Sequence, residues 1–461
     1  MSSTVAIILA AGEGKRMNSA KPKVLHEVLF KPMIDWVTDA AQAAGILNIC
    51  VVAGYKAEQL EAHLDGRFET ALQSELLGTG HAVMQAADFL KKYAPEDVVI
   101  LCGDAPFIDA DTIKHSYEEH KKNAGVLTVI TAQMKDPFGY GRIVRDEKGN
   151  ARRIVEQKDA TFEEKKITEI NSGAYWFKTS ALLEALNLLK NDNNQGEYYL
   201  TDTVGIINAM GMKAGAFVLP DERKIQGAND RHQLALLNSC ARDAVIERLY
   251  ENGVSIPDIS GVIVGPDAAI GRDTTLLPGT IIRGKTTIGE GCVIGPNSFI
   301  ENCEIANDVV FNASQAYKSK LGRGVTVGPF SHLRPNSVIA SNAHIGDFVE
   351  IKNSNIGEGT KVPHLTYVGD SDVGKKVNFG CGCVTVNYNG VAKNRTKVGD
   401  NAFISCNTNL VAPVEVGEGA YTAAGSTITK NVPAYALAVA RARQENKEGW
   451  VLRRRHKTNQ E

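Results

Sequence analysis

Aliphatic residues recur every six positions through the second half of the chain: Val264, Ile270, Leu276, Ile282, Ile288, Ile294 and Ile300, several of them followed by glycine. The phase slips, resumes at Leu321, Val327, Leu333, Ile339, Ile345 and Ile351, and returns at Val398, Ile404, Leu410 and Val416. A spacing of six suits neither an α-helix, which repeats at about 3.6, nor a plain strand, which repeats at about 2. It suits a hexapeptide β-helix, in which three short strands make one triangular coil and the recurring aliphatic fills the interior. Those aliphatics are core and carry no chemistry. Where the period breaks, the chain must leave the coil, so the interruptions are the informative places. KVPHLTYVGD carries His364 at one shift of phase, and VNYNGVAKNRTKVGD is a polar excursion between Val386 and Val398. Stacked coils expose edges and flat faces, and face-to-face trimers are one way to cover them.

The first half has another rhythm. From Val5 to about Gly227, strand-like runs (AIIL, ICVVAG, DVVILCGD) alternate with helical stretches (MIDWVTDAAQAA, GHAVMQAADFLKKY), the pattern of βαβ units and a mostly parallel, Rossmann-like sheet. Ligands of such sheets sit beyond the carboxyl ends of the strands, where AAGEG and CGDAP both fall. Between the halves, Leu234, Leu237, Ala241, Val245 and Leu249 share one helical face before Gly253. The expected organisation is therefore an α/β domain over 1–231, a linking helix over 232–252 and a left-handed parallel β-helix over 253–461.

A formal charge of −2 gives no electrostatic reason to expect nucleic acid or an anionic membrane as partner. The first residues lack the basic segment of a secretory signal, and no apolar run is long enough to span a bilayer. The eight cysteines form no CxxC pair, so they read as reduced thiols in a cytoplasmic protein.

The loop after the first strand, ILAAGEGKRM, lacks the third glycine of a dinucleotide fingerprint and the closing Lys-Ser/Thr of a P-loop. Small residues still let backbone N–H groups approach an anion, and Arg16 and Lys23 add fixed positive charge. That combination suits a triphosphate attacked at its α-phosphorus; the plain alternative is a glycine turn with two solvated cations. Asp104, ending VVILCGD, is a natural hard-cation ligand for Mg²⁺.

LAAGEGKRM with Pro22-Lys23, LLGTGHA, CGDAP, FGYGRIV, IVEQKDA, INSGAYWF and EYYLTD resemble, in order, the motifs of sugar-nucleotide pyrophosphorylases. Followed by a long hexapeptide half with HLTY at 364–367, the chain is similar over nearly its whole length to the bifunctional GlmU family. These are N-acetylglucosamine-1-phosphate uridylyltransferases joined to glucosamine-1-phosphate acetyltransferases. The resemblance implies that Leu9, Ala10, Ala11, Gly12, Cys102 and Gly103 line the nucleotide, with Arg16 and Lys23 on its phosphates. Gln73, Gly78 and Thr79 would read uracil, Gly141, Glu156 and Asn171 would hold the N-acetylated sugar, and Asp104 and Asn229 would hold Mg²⁺. The family commonly has Gly-Thr-Arg where Gly14-Lys15-Arg16 stands here.

For the second half the resemblance makes His364 the catalytic base, the kind of group that titrates near working pH. Glu350 is the candidate to orient its ring. Arg334, Lys352, Tyr367 and Asn378 match sugar-phosphate contacts, and Cys381, Asn387, Tyr388, Cys406, Ala424 and Arg441 match acetyl-CoA contacts. The family usually reads Gly-Ala-Gly-Thr where Gly380-Cys381-Gly382-Cys383 stands, and often serine where Cys406 stands, so a hydroxyl hydrogen bond is lost and thiol sensitivity gained. The basic tail from Lys447 through Arg455 is a solvated end or a helper for CoA phosphates. The implied activity is acetyl-CoA-dependent acetylation of glucosamine-1-phosphate, then uridylyl transfer from UTP with loss of pyrophosphate, in a cytoplasmic homotrimer serving cell-wall synthesis. Two other readings are a nucleotidylyltransferase with a regulatory β-helix and a non-enzymatic assembly protein built on both folds. His364 with the surrounding polar excursions speaks against the first, and intact Arg16, Lys23, Asp104 and His364 speak against the second.

Overall fold

The computed structural model describes residues 3–122 and 125–458. The chain divides into two compact units, 1–243 and 244–461, with the division inside the helix Arg231–Glu251. Leu237, Ala241, Val245 and Leu249 are buried along that helix and Leu234 is half-buried. Gly253, at φ 78, ends it, and Val254 N–H returns to the Leu249 carbonyl at 2.9 Å.

The first unit is built on a nine-stranded sheet. Its strands are β1 (Thr4–Ala10), β2 (Ile49–Ala53), β3 (Glu69–Leu72), β4 (Asp97–Cys102), β5 (Leu127–Gln133), β6 (Arg142–Arg145), β7 (Ala151–Val155), β8 (Glu169–Lys178) and β9 (Ala214–Leu219). The order is β9-β5-β8-β4-β1-β2-β3, with β6 paired to β8 and β7 to β6. The sheet is mostly parallel as expected, since six of the seven strands on that path run the same way; β8 is the exception. β1 runs parallel to β2 and β4, but β8 is antiparallel to β4, β5 and β6. The cause is the β6–β7 hairpin, which reverses the chain so that β8 enters from the opposite end. Alternation along β1 fills two cores: Val5 and Ile7 pack with Val83 and Phe177, while Ala6 and Ile8 pack with Ile34 and Trp176. GHAVMQAADFLKKY forms two helices, Thr79–Met84 and Ala87–Tyr93.

The second unit is a parallel β-helix of the left-handed hexapeptide kind, with three ladders of ten, nine and ten strands. Stacked interior positions run Val264, Ile282, Ile300, Ala316, Leu333, Ile351 and Val368, each fully buried. Asn302, Asn336, Asn342 and Asn407 turn corners in the left-handed region, which asparagine tolerates better than most residues. Three bulky residues do so as well: Phe330 (φ 60), Phe348 (φ 55) and Leu365 (φ 45), all more than half exposed. Between Val386 and Thr396 the chain leaves the coil in a small loop closed by Asn394 N–H on the Asn387 carbonyl at 2.7 Å. Among the described residues no helix is long and apolar enough to cross a membrane.

Candidate active sites

The ends of β1 and β4 lie side by side, Leu9 opposite Cys102, and Gly103 N–H donates to the Leu9 carbonyl at 2.9 Å. This sets the glycine loop next to Asp104 at the carboxyl edge of the sheet. Gly14 sits at φ 63, and a Cβ there would stand 2.8 Å from Lys23 Cβ, so the loop is packed against that lysine. Lys23 Nζ in turn donates to the Asp104 carboxylate and, at 2.7 Å, to Asn229 Oδ1. Three residues far apart in sequence thus meet at one point. Two hard oxygen donors already facing an ammonium are a chemically apt set for a hard divalent cation that takes its remaining ligands from phosphate and water. Arg16 is exposed in the same loop with no carboxylate partner among the described residues.

Beside the loop, buried Gln73 donates through Nε2 to the Gly78 carbonyl at 3.0 Å and meets His81 Nδ1 at 3.1 Å. Gly78 leaves no room for a side chain, since its Cβ would lie 2.7 Å from the Tyr198 carbonyl, and Thr79 Oγ1 accepts from Leu200 N–H at 3.1 Å. On the other side, a Cβ on Gly141 would stand 3.4 Å from Glu156 Oε1 and 3.6 Å from Asn171 Cβ, which places these three together. Asn171 N–H donates to the Gly141 carbonyl at 2.9 Å, and Thr201 Oγ1 donates to Glu156 at 3.3 Å. Burial pushes the Glu156 carboxyl above its ordinary range. Cys102 turns its thiol to the Gly173 carbonyl, and burial raises its pKa to about 12, so it stays a neutral thiol.

In the β-helix, His364 Nδ1 lies 2.7 Å from Asp347 Oδ1, its register partner on the preceding coil. The expectation that Glu350 orients the ring is corrected: Glu350 accepts from Arg334 Nη1 at 2.9 Å. Around the next corner, Asp370 is a buried hub. Asn353 Nδ2 reaches it at 2.6 Å, Asn387 Nδ2 at 2.5 Å and Lys352 Nζ at 3.3 Å. Burial alone would raise the Asp370 carboxyl, but the two amides and Lys352 hold it below its ordinary value. Asn387 also reaches Tyr367 OH at 3.2 Å, so it belongs to this cluster as well as to the excursion. Lys393, unforeseen in the sequence, sits beside Lys352, and a hydrogen bond between the two amines, with the neighbouring charge, lowers the Lys393 pKa. Arg334, Lys352 and Lys393 gather three basic groups beside Glu350 and Asp370, a set of donors suited to a phosphomonoester. Asn378 is on the ladder after Lys361, on the strand flank nearer His364.

Along one corner, Cys381, Cys406 and Ala424 follow one another up the coils. Asn407 N–H donates to the Cys381 carbonyl at 2.8 Å and Gly425 N–H to the Cys406 carbonyl at 2.9 Å. Arg441 continues the line, its Cδ 3.9 Å from where a Gly425 Cβ would be. Tyr388 is exposed on the excursion. Cys383 points inward, donating to the Ser405 carbonyl, with burial raising its pKa to about 11. The tail forms a helix, Trp450–Thr458, exposed over residues 450–455, with Arg454 over the Trp450 ring.

A mixed α/β unit with a cationic loop, followed by a hexapeptide coil with a histidine and a cationic pocket, defines a two-domain transferase. The nucleotidyl transferase family matches residues 5–225, and the bacterial transferase hexapeptide family matches 267–302, 318–353 and 395–430. The chain is 50% identical over 454 residues to the bifunctional protein GlmU of Acetivibrio thermocellus, covering 98% of both chains. It is 52% identical over 456 residues to that of Thermoanaerobacter pseudethanolicus, covering 98% of this chain and 99% of the relative. With that of Clostridioides difficile it shares 47% over 455 residues, covering 99% of both. The chain belongs to the bifunctional GlmU family and is a nucleotidyltransferase and an acetyltransferase in one polypeptide.

Proposed function

We propose that residues 253–461 transfer an acetyl group from acetyl-CoA to the amine of glucosamine-1-phosphate, and that residues 1–231 join the product to UMP from UTP, giving UDP-N-acetylglucosamine and pyrophosphate. The observation that carries this is the presence of two separate cationic centres, one at Lys23 and one at Arg334, Lys352 and Lys393, the second with an imidazole nearby.

In the first step Arg334, Lys352 and Lys393 take the sugar phosphate, with Tyr367 and Asn378 on its flanks. His364 removes the proton as the amine attacks the thioester carbonyl, and CoA leaves as the thiolate that is then protonated. Cys381, Asn387, Tyr388, Cys406, Ala424 and Arg441 hold acetyl-CoA along the corner. In the second step a sugar-phosphate oxygen attacks the α-phosphorus of UTP in line with the departing pyrophosphate, which needs positioning and charge neutralisation rather than a covalent enzyme intermediate. Arg16 and Lys23 gather the charge on the phosphates. Gln73, whose amide N–H groups are spent on Gly78 and His81, presents its oxygen to the N3–H of uracil. Glu156 and Asn171 accept sugar hydroxyls. Asp104 and Asn229 hold Mg²⁺, which supplies electrostatic stabilisation of the phosphate oxygens when bound.

We place the reaction in the cytoplasm, on a homotrimer. Support for the trimer is the exposed apolar ladder at Phe330, Phe348 and Leu365; the two phenyl rings stack at 5.3 Å, and all three residues hold backbone conformations that bulky side chains avoid. The test is to incubate the protein with glucosamine-1-phosphate, acetyl-CoA, UTP and Mg²⁺ and to follow free thiol and pyrophosphate separately. Both products are expected. Pyrophosphate from N-acetylglucosamine-1-phosphate with no thiol from the unacetylated sugar leaves only the nucleotidylyltransferase and refutes the two-step reading.

A further inference from the structure

We propose that Asp347 is the positioning residue of acetyl transfer, holding the His364 ring with its Nδ1–H bound and its Nε2 lone pair free for the substrate proton. The proposal rests on His364 acting as the base. A carboxylate can only accept, so a ring nitrogen 2.7 Å from Asp347 Oδ1 must carry the hydrogen, and the second nitrogen is left as the base. When the base becomes an imidazolium, the same carboxylate stabilises it without moving. Both residues are fixed by the coil. They are register partners on adjacent strands; Leu365 N–H donates to the Asp347 carbonyl at 3.0 Å, and Thr366 Oγ1 donates to the His364 carbonyl at 2.7 Å. A pairing built into neighbouring rungs restricts a ring that is otherwise 56% exposed.

The other ionisable groups around the pair do not replace it. His344, on the strand of Asp347, has its Nδ1 2.7 Å from Thr326 Oγ1, and burial lowers its pKa, so it stays neutral where the base works. Lys361 is on the strand of His364, and its charge opposes protonation of His344 and cannot stand in for a carboxylate. On the following coil, Cys381 comes three residues after Asn378, the partner of Lys361, and offers a thiol that is no substitute for an anion. Asp347 itself is held below the ordinary carboxylate range by its hydrogen bond to His364 and is ionised throughout the working range.

The test compares Asp347→Asn, Asp347→Ala and His364→Ala in the full-length protein. Thiol release gives kcat and both KM values as functions of pH, and ¹⁵N chemical shifts of labelled histidine give the tautomer. In both Asp347 variants kcat is expected to fall about tenfold or more, with both KM values within about twofold of the parent. The acidic limb of the kcat profile moves to lower pH, because the charge that favoured imidazolium is gone, and the Nδ1–H tautomer of His364 loses its dominance in Asp347→Ala. A purely structural role moves neither the limb nor the tautomer. If both Asp347 variants keep the parent kcat, limb and tautomer while His364→Ala is inactive, the proposal is wrong and the base assignment stands. If His364→Ala still transfers acetyl groups, the base assignment falls and takes this proposal with it.

Discussion

Replacing Gly14 with alanine probes the glycine loop without removing any charged group. The backbone there is left-handed at φ 63, a conformation that costs a residue with a Cβ about 1–2 kcal/mol. The added carbon would also stand 2.8 Å from Lys23 Cβ, against a normal contact of about 3.5–4.0 Å. The obstacle is the root of the lysine and not its flexible end, so relief requires residue 23 to retreat by about 1 Å. That retreat carries Nζ away from Asp104 and Asn229, and a misplacement of this size costs on the order of 100-fold in rate, or about 2.7 kcal/mol. Uridylyl transfer, read as pyrophosphate release from UTP and N-acetylglucosamine-1-phosphate, should fall by that factor in kcat/KM while thiol release is unchanged. Gly45→Ala separates strain from collision, since Gly45 is at φ 92 with nothing within 4 Å of its would-be Cβ. It should lose stability and keep full activity. Full pyrophosphate release by Gly14→Ala, or an equal loss in Gly45→Ala, refutes the reasoning.

Three further outcomes follow from named contacts. Arg334→Glu should raise the KM for glucosamine-1-phosphate at least tenfold through repulsion of the phosphate beside Lys352 and leave uridylyl transfer untouched; steady-state kinetics of both reactions check it. Because the folded-state pKa of Glu156 is raised by burial, ionising it opposes folding: the penalty is full above the folded value and disappears as pH falls below the ordinary value of about 4.3. Glu156→Gln should therefore raise the melting temperature at pH 7 but not below pH 4, while weakening sugar binding, as seen by thermal unfolding and calorimetric titration. Ile351→Ala, at a fully buried rung, should destabilise the β-helix by about 2–5 kcal/mol in urea unfolding.

The β-helix was legible because its interior demands one aliphatic residue per face, and that demand appears directly as a period. The same arithmetic contains the partner of His364. Asp347 precedes it by 17 residues, one coil, whereas Glu350 is only 14 away and faces Arg334, 16 residues before it. Choosing Glu350 overlooked that neighbours across a coil are one full turn apart. Lys393 was hidden for the opposite reason, since the excursion at 387–395 breaks the count and no spacing connects it to Lys352. In the α/β unit the glycine loop and Asp104 could be placed from strand ends alone. The convergence of Lys23 and Asn229 on Asp104 depends on tertiary packing across 206 residues, and motif resemblance rather than local pattern pointed to it. The mostly parallel sheet was legible in the βαβ rhythm, whereas its one antiparallel strand on the main path, β8, follows a hairpin with its turn at Asp146–Gly149, a signal outside that rhythm.

The central claim, two independent chemistries in one chain, is tested most directly by pairing Lys23→Ala with His364→Ala. Lys23→Ala should release CoA thiol from glucosamine-1-phosphate and make no pyrophosphate, His364→Ala should make pyrophosphate only from the acetylated sugar, and the two proteins mixed should convert glucosamine-1-phosphate to UDP-N-acetylglucosamine. Loss of both reactions in either variant, or a mixture that stays inactive, contradicts the account.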